Sequence, residues 1–179
     1  MRDFGEDSRR QQELRGRPFA DAVYREQFAL ASIKRFDGED PDNVLMERVF
    51  AIDAELTLAT GQVLSVQEKF LSNEFSRYNT VTVEHWQDPA TGELGDWYKL
   101  RADLYLIAYF NPAGTDFEKW AILDVPVLKI LTATGSIRWA EKSNANGRAR
   151  ATFRCVDVAK LPARCRLWSK GFVIAPQAT

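Results

Sequence analysis

The order of hydrophobic periods along the 179-residue chain predicts an α/β (α+β) fold: a single domain with a central mixed β-sheet flanked by helices. Three observations carry this. A helical period near the start is followed by runs of period two. A tight glycine turn joins two of those runs as a hairpin, which makes part of the sheet antiparallel. A later apolar strand runs directly into an Asp-led segment with proline in its first turn, the signature of a helix start. With 45% apolar and 27% charged residues the chain is neither disordered nor low-complexity.

Residues 1–17 are polar and charge-rich and are expected to form a flexible segment ahead of one domain over residues 18–179. Pro18 suits a first helical turn, and Phe19, Ala20, Val23, Phe28, Ala31 and Ile33 give a fair 3.6 period, so a helix is expected to Ile33. The acidic run Asp37 to Asp42, with Gly38 and Pro41, reads as a turn. From Val49 to Leu58 the even positions are Phe50, Ile52, Leu56 and Leu58, and the odd positions include Asp53, Glu55 and Thr57. That is a strand with one buried face. Thr60-Gly61 turns the chain into a second strand, Val63 to Leu71. Further strands are expected at Thr80–Trp86, Ala102–Phe110, Lys119–Leu123 and Arg150–Val158, and Asp124 caps a helix that Gly135 closes.

No apolar run approaches the roughly 20 residues of a spanning helix, and the N-terminus lacks an apolar leader, so no membrane partner is expected. Two cysteines, Cys155 and Cys165, are too few for a disulfide framework and read as reduced packing thiols in a cytoplasmic protein. With one histidine, a zinc site built from His and Cys is improbable, and any metal would be a hard cation held by oxygen.

Chemistry concentrates on the hairpin. Asp53 and Glu55 lie two apart on one strand, Gln67 and Lys69 two apart on the next, sharing a face with Ser65. A carboxylate, an amide oxygen and an ammonium converging on one spot suit divalent-metal phosphodiester hydrolysis. The same pattern also describes an exposed strand face with a cross-strand pair between Asp53 or Glu55 and Lys69. Glu68 alternates to the face of Leu64, Val66 and Phe70, as a buried or edge ion-pair partner. Glu84 can position the lysine, bind metal, or pair with Arg77 or Lys99. His85 reads as a partly buried strand histidine with general base as the alternative.

The stretch VFAIDAEL, a glycine turn and VLSVQEKF resembles the core of the PD-(D/E)XK nuclease superfamily, the restriction-endonuclease-like fold. That core is a helix, three mostly antiparallel strands, a second helix and a further strand. Asp53 matches its strand aspartate and Gln67-Glu68-Lys69 its (D/E)-x-K element, with Gln67 where an acid is usual, a variant found in the Mrr-like branch. Residues 45 to about 135 are similar to small phage and mobile-element proteins usually assigned there. The matching pieces are Asp53, Gln67-Glu68-Lys69, Glu84, Gly95-Asp96-Trp97, Ala102-Asp103-Leu104-Tyr105 with Tyr109, and WAILDVPVLKIL. The resemblance implies a Mg²⁺- or Mn²⁺-dependent DNA endonuclease or resolvase-like enzyme, often a homodimer. Asp53 and Gln67 would be metal ligands, Lys69 would orient the water, and Glu84 or Glu26 would be an accessory acid. The neutral Gln67 keeps a second expectation open: a catalytically silent nucleic-acid-binding or phage accessory protein on the same fold.

Charge is split along the chain. Residues 137–179 carry nine Lys/Arg against two acids, leaving 15 basic and 23 acidic groups in the other 136. Arg148, Arg150, Arg154, Arg164 and Arg166 are therefore expected to line a DNA backbone contact, with a merely solvated face as the alternative.

Overall fold

In the computed structural model, which describes residues 4–36, 40–143 and 151–174, the chain opens with helix α1, Phe4–Gln27. Much of the segment expected to be loose is thus helical, and Pro18 lies inside the helix rather than at its start. The buried stripe is Gly16, Ala20, Val23 and Tyr24, spaced three and four residues apart. The helix ends at Gln27, and the stretch expected to continue it is strand β1, Leu30–Arg35.

A second departure follows. Of the acidic run expected to be a turn, residues 37–39 lie outside the described residues and Asp40 to Asp42 instead start helix α2, Pro41–Phe50. Asp40 is its N-cap and accepts the Asp42 N–H at 2.9 Å, with Pro41 in the first turn. Ala51 closes it in the left-handed region at φ 50. The strand expected from Val49 therefore begins later, as β2, Ala54–Leu58. β3 spans Val63–Leu71, as the alternation predicted.

After β3 come β4 (Thr80–Asp88), β5 (Glu93–Leu94) and the single-turn helix α3 (Asp96–Lys99). Then follow β6 (Leu104–Phe110), β7 (Phe117–Asp124) and helix α4 (Val125–Ala133). Asp124 caps α4, its carboxylate accepting the Val127 N–H at 2.8 Å. The chain ends with β8 (Ala140–Ser143), β9 (Thr152–Asp157) and β10 (Arg166–Lys170).

The strands form a mixed six-stranded sheet, β1-β2-β3-β6-β7-β10, and a four-stranded sheet, β5-β4-β9-β8. In the first, β1, β2 and β3 form an antiparallel meander, β3 and β6 are parallel, and β7 runs antiparallel to β6. The second sheet is an addition to the single central sheet expected, and the β3-to-β6 crossover builds part of it.

Each face of the large sheet has its own core. Leu104, Leu106, Ala108 and Phe110 of β6 pack with Val66 and Phe70 against Ala20, Val23 and Tyr24 of α1. Tyr105, Ile107 and Tyr109, alternating to the other face, pack with Val81, Val83 and Val156 of the small sheet and with Leu128 and Leu131 of α4. A strand buried on both faces reads as an unbroken apolar run, which explains LYLIAYF. The Tyr105 and Tyr109 hydroxyls donate to the Thr82 and Thr80 carbonyls, both at 2.7 Å, and tie the sheets together.

α1 approaches β3 closely at one residue. A Cβ on Gly16 would stand 2.3 Å from the Phe70 ring, which is held by the Phe110 and Phe117 rings. Gly16→Val should cost about 1–3 kcal/mol through overpacking. Gly16→Ala should cost less, because a helix gains roughly 1 kcal/mol on replacing glycine by alanine. Urea denaturation of the two variants measures both; equal stability of wild type and Gly16→Val would show that α1 is free to shift.

Candidate active site

Asp53 sits just before β2 and is held by three backbone contacts. Its N–H donates to the Val66 carbonyl at 2.8 Å, its carbonyl accepts the Phe36 N–H at 3.0 Å, and its carboxylate accepts the Glu68 N–H at 2.6 Å. Gln67 is next to that peptide. Its Nε2 donates to the Glu68 carbonyl at 3.2 Å, while its Oε1 is buried with no hydrogen-bond partner. In the β3–β6 register Gln67 lies beside Tyr105 and Lys69 beside Ile107, so both belong to the face turned toward the small sheet. Glu68 lies beside Leu106 on the α1 face, as alternation predicted.

The field around Asp53 is acidic. Burial pushes its carboxyl well above the usual carboxylate range, and the charges of Glu68, Glu13 and Glu47 push it further, against the stabilising Glu68 N–H. A buried carboxylate in a negative field, bonded to the peptide that follows a residue with an orphaned amide oxygen, has the donor chemistry that a hard cation takes. Two oxygens do not complete a shell. Among the described residues no group of three or more His, Cys, Asp or Glu side chains is arranged to hold a metal.

The small sheet supplies the opposite wall. The Lys69 ammonium stands 5.1 Å from the centre of the Phe153 ring, within cation–π range. Across β4 and β9, Phe153 pairs with Glu84 and Cys155 with Thr82; across β8 and β9, Phe153 pairs with Lys142. Cross-strand partners share a face, so Lys69 reaches the side of the small sheet that carries Glu84, Phe153, Cys155 and Lys142. Burial raises the Cys155 thiol, and the Lys69 and Lys142 charges pull it down. Glu84 is set by a close approach: a Cβ on Gly95 would fall 2.7 Å from the Glu84 carbonyl oxygen, a spacing only glycine allows.

Other expected residues lie elsewhere. Glu26 is exposed as the penultimate residue of α1, and the α1 acid whose charge reaches Asp53 is Glu13. Arg154 pairs with Val83, on the β9 face opposite Phe153, and stands 3.8 Å from Glu141 and 5.8 Å from the Trp97 ring centre. Arg166 donates to the Val158 carbonyl at 3.2 Å from the other sheet, and Arg164 is exposed. Arg148 and Arg150 lie outside the described residues. His85 is buried; its Nε2 lies 2.7 Å from the Tyr98 hydroxyl, and Nδ1 is 3.1 Å from Glu141 but out of line for a hydrogen bond. Burial lowers its pKa, as does the Arg154 charge, against Glu141. Asp103 accepts from the Ser65 N–H at 2.8 Å and hydroxyl at 2.7 Å, joining the starts of β3 and β6.

Glu13 and Phe153 carry no site signal in the sequence, and Lys142 counts there only among the basic residues of the C-terminal third. Glu13 is an exposed residue one turn ahead of the buried Gly16, a placement visible once α1 is extended toward the N-terminus. Comparison with family models, curated proteins and solved structures finds no match to this chain. Among the described residues no helix is long and apolar enough to cross a membrane.

Because Asp53 binds its proton more tightly in the fold than in the unfolded chain, its contribution to stability is fully present near pH 4 and below. It falls as pH rises through the native value. Asp53→Asn keeps an oxygen for the Glu68 N–H and removes the charge. Thermal melts should therefore find the variant more stable than wild type at neutral pH, with the gap closing toward pH 4. A gap that widens on acidification would overturn this assignment.

Proposed function

We propose that the protein is a Mg²⁺- or Mn²⁺-dependent phosphodiesterase acting on DNA, with the restriction-endonuclease-like core that its sequence resembles. The observation that carries the reading is that Gln67 and Lys69 share one face of β3 while the Asp53 carboxylate is fixed to the Glu68 N–H between them, with the Gln67 Oε1 buried and unpartnered. The topology supports it: a helix, a three-stranded antiparallel meander, then a crossover to a strand parallel to the third. The crossover here carries β4, β5 and the short α3 where that core has a second helix.

Asp53 and Gln67 Oε1 would hold the cation. Such an ion, when bound, offsets charge on the scissile phosphate and acidifies water. Lys69 orients the attacking water and stabilises charge developing on the phosphoryl oxygens. Glu84, on the facing strand, is the acid available to align Lys69. Lys142, exposed on the face of the small sheet that carries Phe153, is placed to contact a backbone phosphate, whereas Arg154 shares the opposite face with Val83.

The neutral Gln67 favours a second reading, in which the site has lost its metal affinity and the fold binds nucleic acid without cutting it. The purified protein should cleave linear, single-stranded or branched DNA when Mn²⁺ or Mg²⁺ is added. Asp53→Ala and Lys69→Ala should each lower the rate about a hundredfold or more. Gln67→Glu should tighten Mn²⁺ binding if the amide oxygen is a ligand. Wild-type protein that binds DNA but stays inert on every substrate, with Gln67→Glu binding Mn²⁺ no better, would select the silent binder.

Lys142→Glu should weaken DNA binding to all sequences alike and lower the slope of log K against log salt by about one unit. Arg154→Glu should change that slope little, and a reversed ranking in a salt titration would place the DNA on the other face of β9.

A further inference from the structure

Behind the proposed site lies a charged cluster that its chemistry does not use. Glu68 is on the α1 face of β3, where its neighbours Val66 and Phe70 are core residues, and its side chain is only 5% exposed. The fully buried Tyr24 hydroxyl, from α1, donates to Glu68 Oε1 at 2.7 Å. The Arg35 guanidinium, from β1, donates to Glu68 Oε2 and to Asp21 of α1. Burying an ion pair commonly gives no more stability than an apolar replacement of similar volume. The cluster therefore calls for a reason other than stability.

That reason is in the sequence of β3. Gln67, Glu68 and Lys69 are three consecutive polar residues, so only Leu64, Val66 and Phe70 on either side assign Glu68 to the α1 face, and no apolar side chain anchors the stretch itself. A slip of one residue would turn Glu68 forward and Gln67 and Lys69 back. The Glu68 peptide also touches both proposed ligands: its N–H holds Asp53 and its carbonyl takes the Gln67 amide, leaving Oε1 unpartnered.

We propose that Tyr24, Arg35 and Glu68 are positioning residues: their buried cluster pins the Glu68 peptide from behind, and so sets the register and aim of Asp53 and Gln67 in front. The metal part of this inference rests on the proposed function; the register part does not. Groups that support metal ligands from behind commonly change affinity by about 10–100-fold when lost.

The test uses the full chain as wild type, Tyr24→Phe, and the double variant Arg35→Met/Glu68→Met, which removes both charges together. Amide hydrogen exchange at residue 68 is read against Val66 and Phe70, and Mn²⁺ affinity is read by calorimetry beside thermal melts. Tyr24→Phe keeps the ring in place, so residue 68 should exchange about tenfold faster than in wild type, with Val66 and Phe70 unchanged. Mn²⁺ affinity should fall about tenfold or more in both variants, with melting temperatures close to wild type. Wild-type exchange at residue 68 in both variants would overturn the proposal, as would unchanged Mn²⁺ affinity. Wild-type protein that takes up no Mn²⁺ would instead remove the metal-dependent reading, and the exchange data alone would then decide the positioning role.

Discussion

The structure depends on how β3 is held at three consecutive polar residues in the middle of a sheet buried on both sides. Forward, Gln67 and Lys69 meet the small sheet; backward, Glu68 meets Tyr24 and Arg35. An unpaired carboxylate in that position would cost several kcal/mol, and the cluster around it satisfies the charge from two separate elements. The same constraint explains the length of α1. Its Gly16 to Tyr24 stripe must lie flat on β3 for the tyrosine to reach Glu68, and Gly16 removes the side chain that would prop the helix away from Phe70.

Much of this was legible before any coordinates. β3 was read residue for residue because a glycine turn fixes its start and strict alternation its faces. The buried β6 and the Asp124-capped α4 have equally local signatures. The misread stretches share a cause: one residue type serving two purposes. Asp40-Pro41 is a turn signal and also a cap with a first-turn proline, and only the helix that follows decides between them. Pro18 suits a helix start but is accommodated inside α1. The strand LASIKR continues an apolar spacing that also fits a helix, and its identity comes from pairing with β2.

The site divides along the same line. Gln67 and Lys69 are legible because they lie two apart on one strand, and Asp53 because it stands just ahead of the strand that pairs with it in a local hairpin. The far wall is not. Whether Phe153 or Arg154 faces Lys69 is a matter of one residue of register between β4 and β9, strands more than sixty positions apart in sequence. Charge pattern pointed to the arginine; the pairing turns the phenylalanine and Lys142 toward the lysine instead. Glu47 enters the acidic field only through α2, which spans the end of the expected turn, the unassigned residues 43–48 and the start of the expected strand.

The charge asymmetry of the chain acquires a spatial meaning from this topology. The acids that act on Asp53, namely Glu13, Glu47 and Glu68, all precede β4, and α1, α2 and β3 gather them around one carboxylate. Left alone, such a field repels a phosphate backbone and resists ionisation of Asp53 itself. The basic C-terminal third returns as β8 and β9 on the small sheet, where Lys142 shares the Phe153 face that the Lys69 ammonium reaches. Acidic centre and basic wall thus come from opposite ends of the chain, joined through β4, whose Thr80 and Thr82 carbonyls take the tyrosines of β6. A cation at the centre would reconcile the two, since the acids that disfavour a bare carboxylate are those that favour a divalent ion beside it.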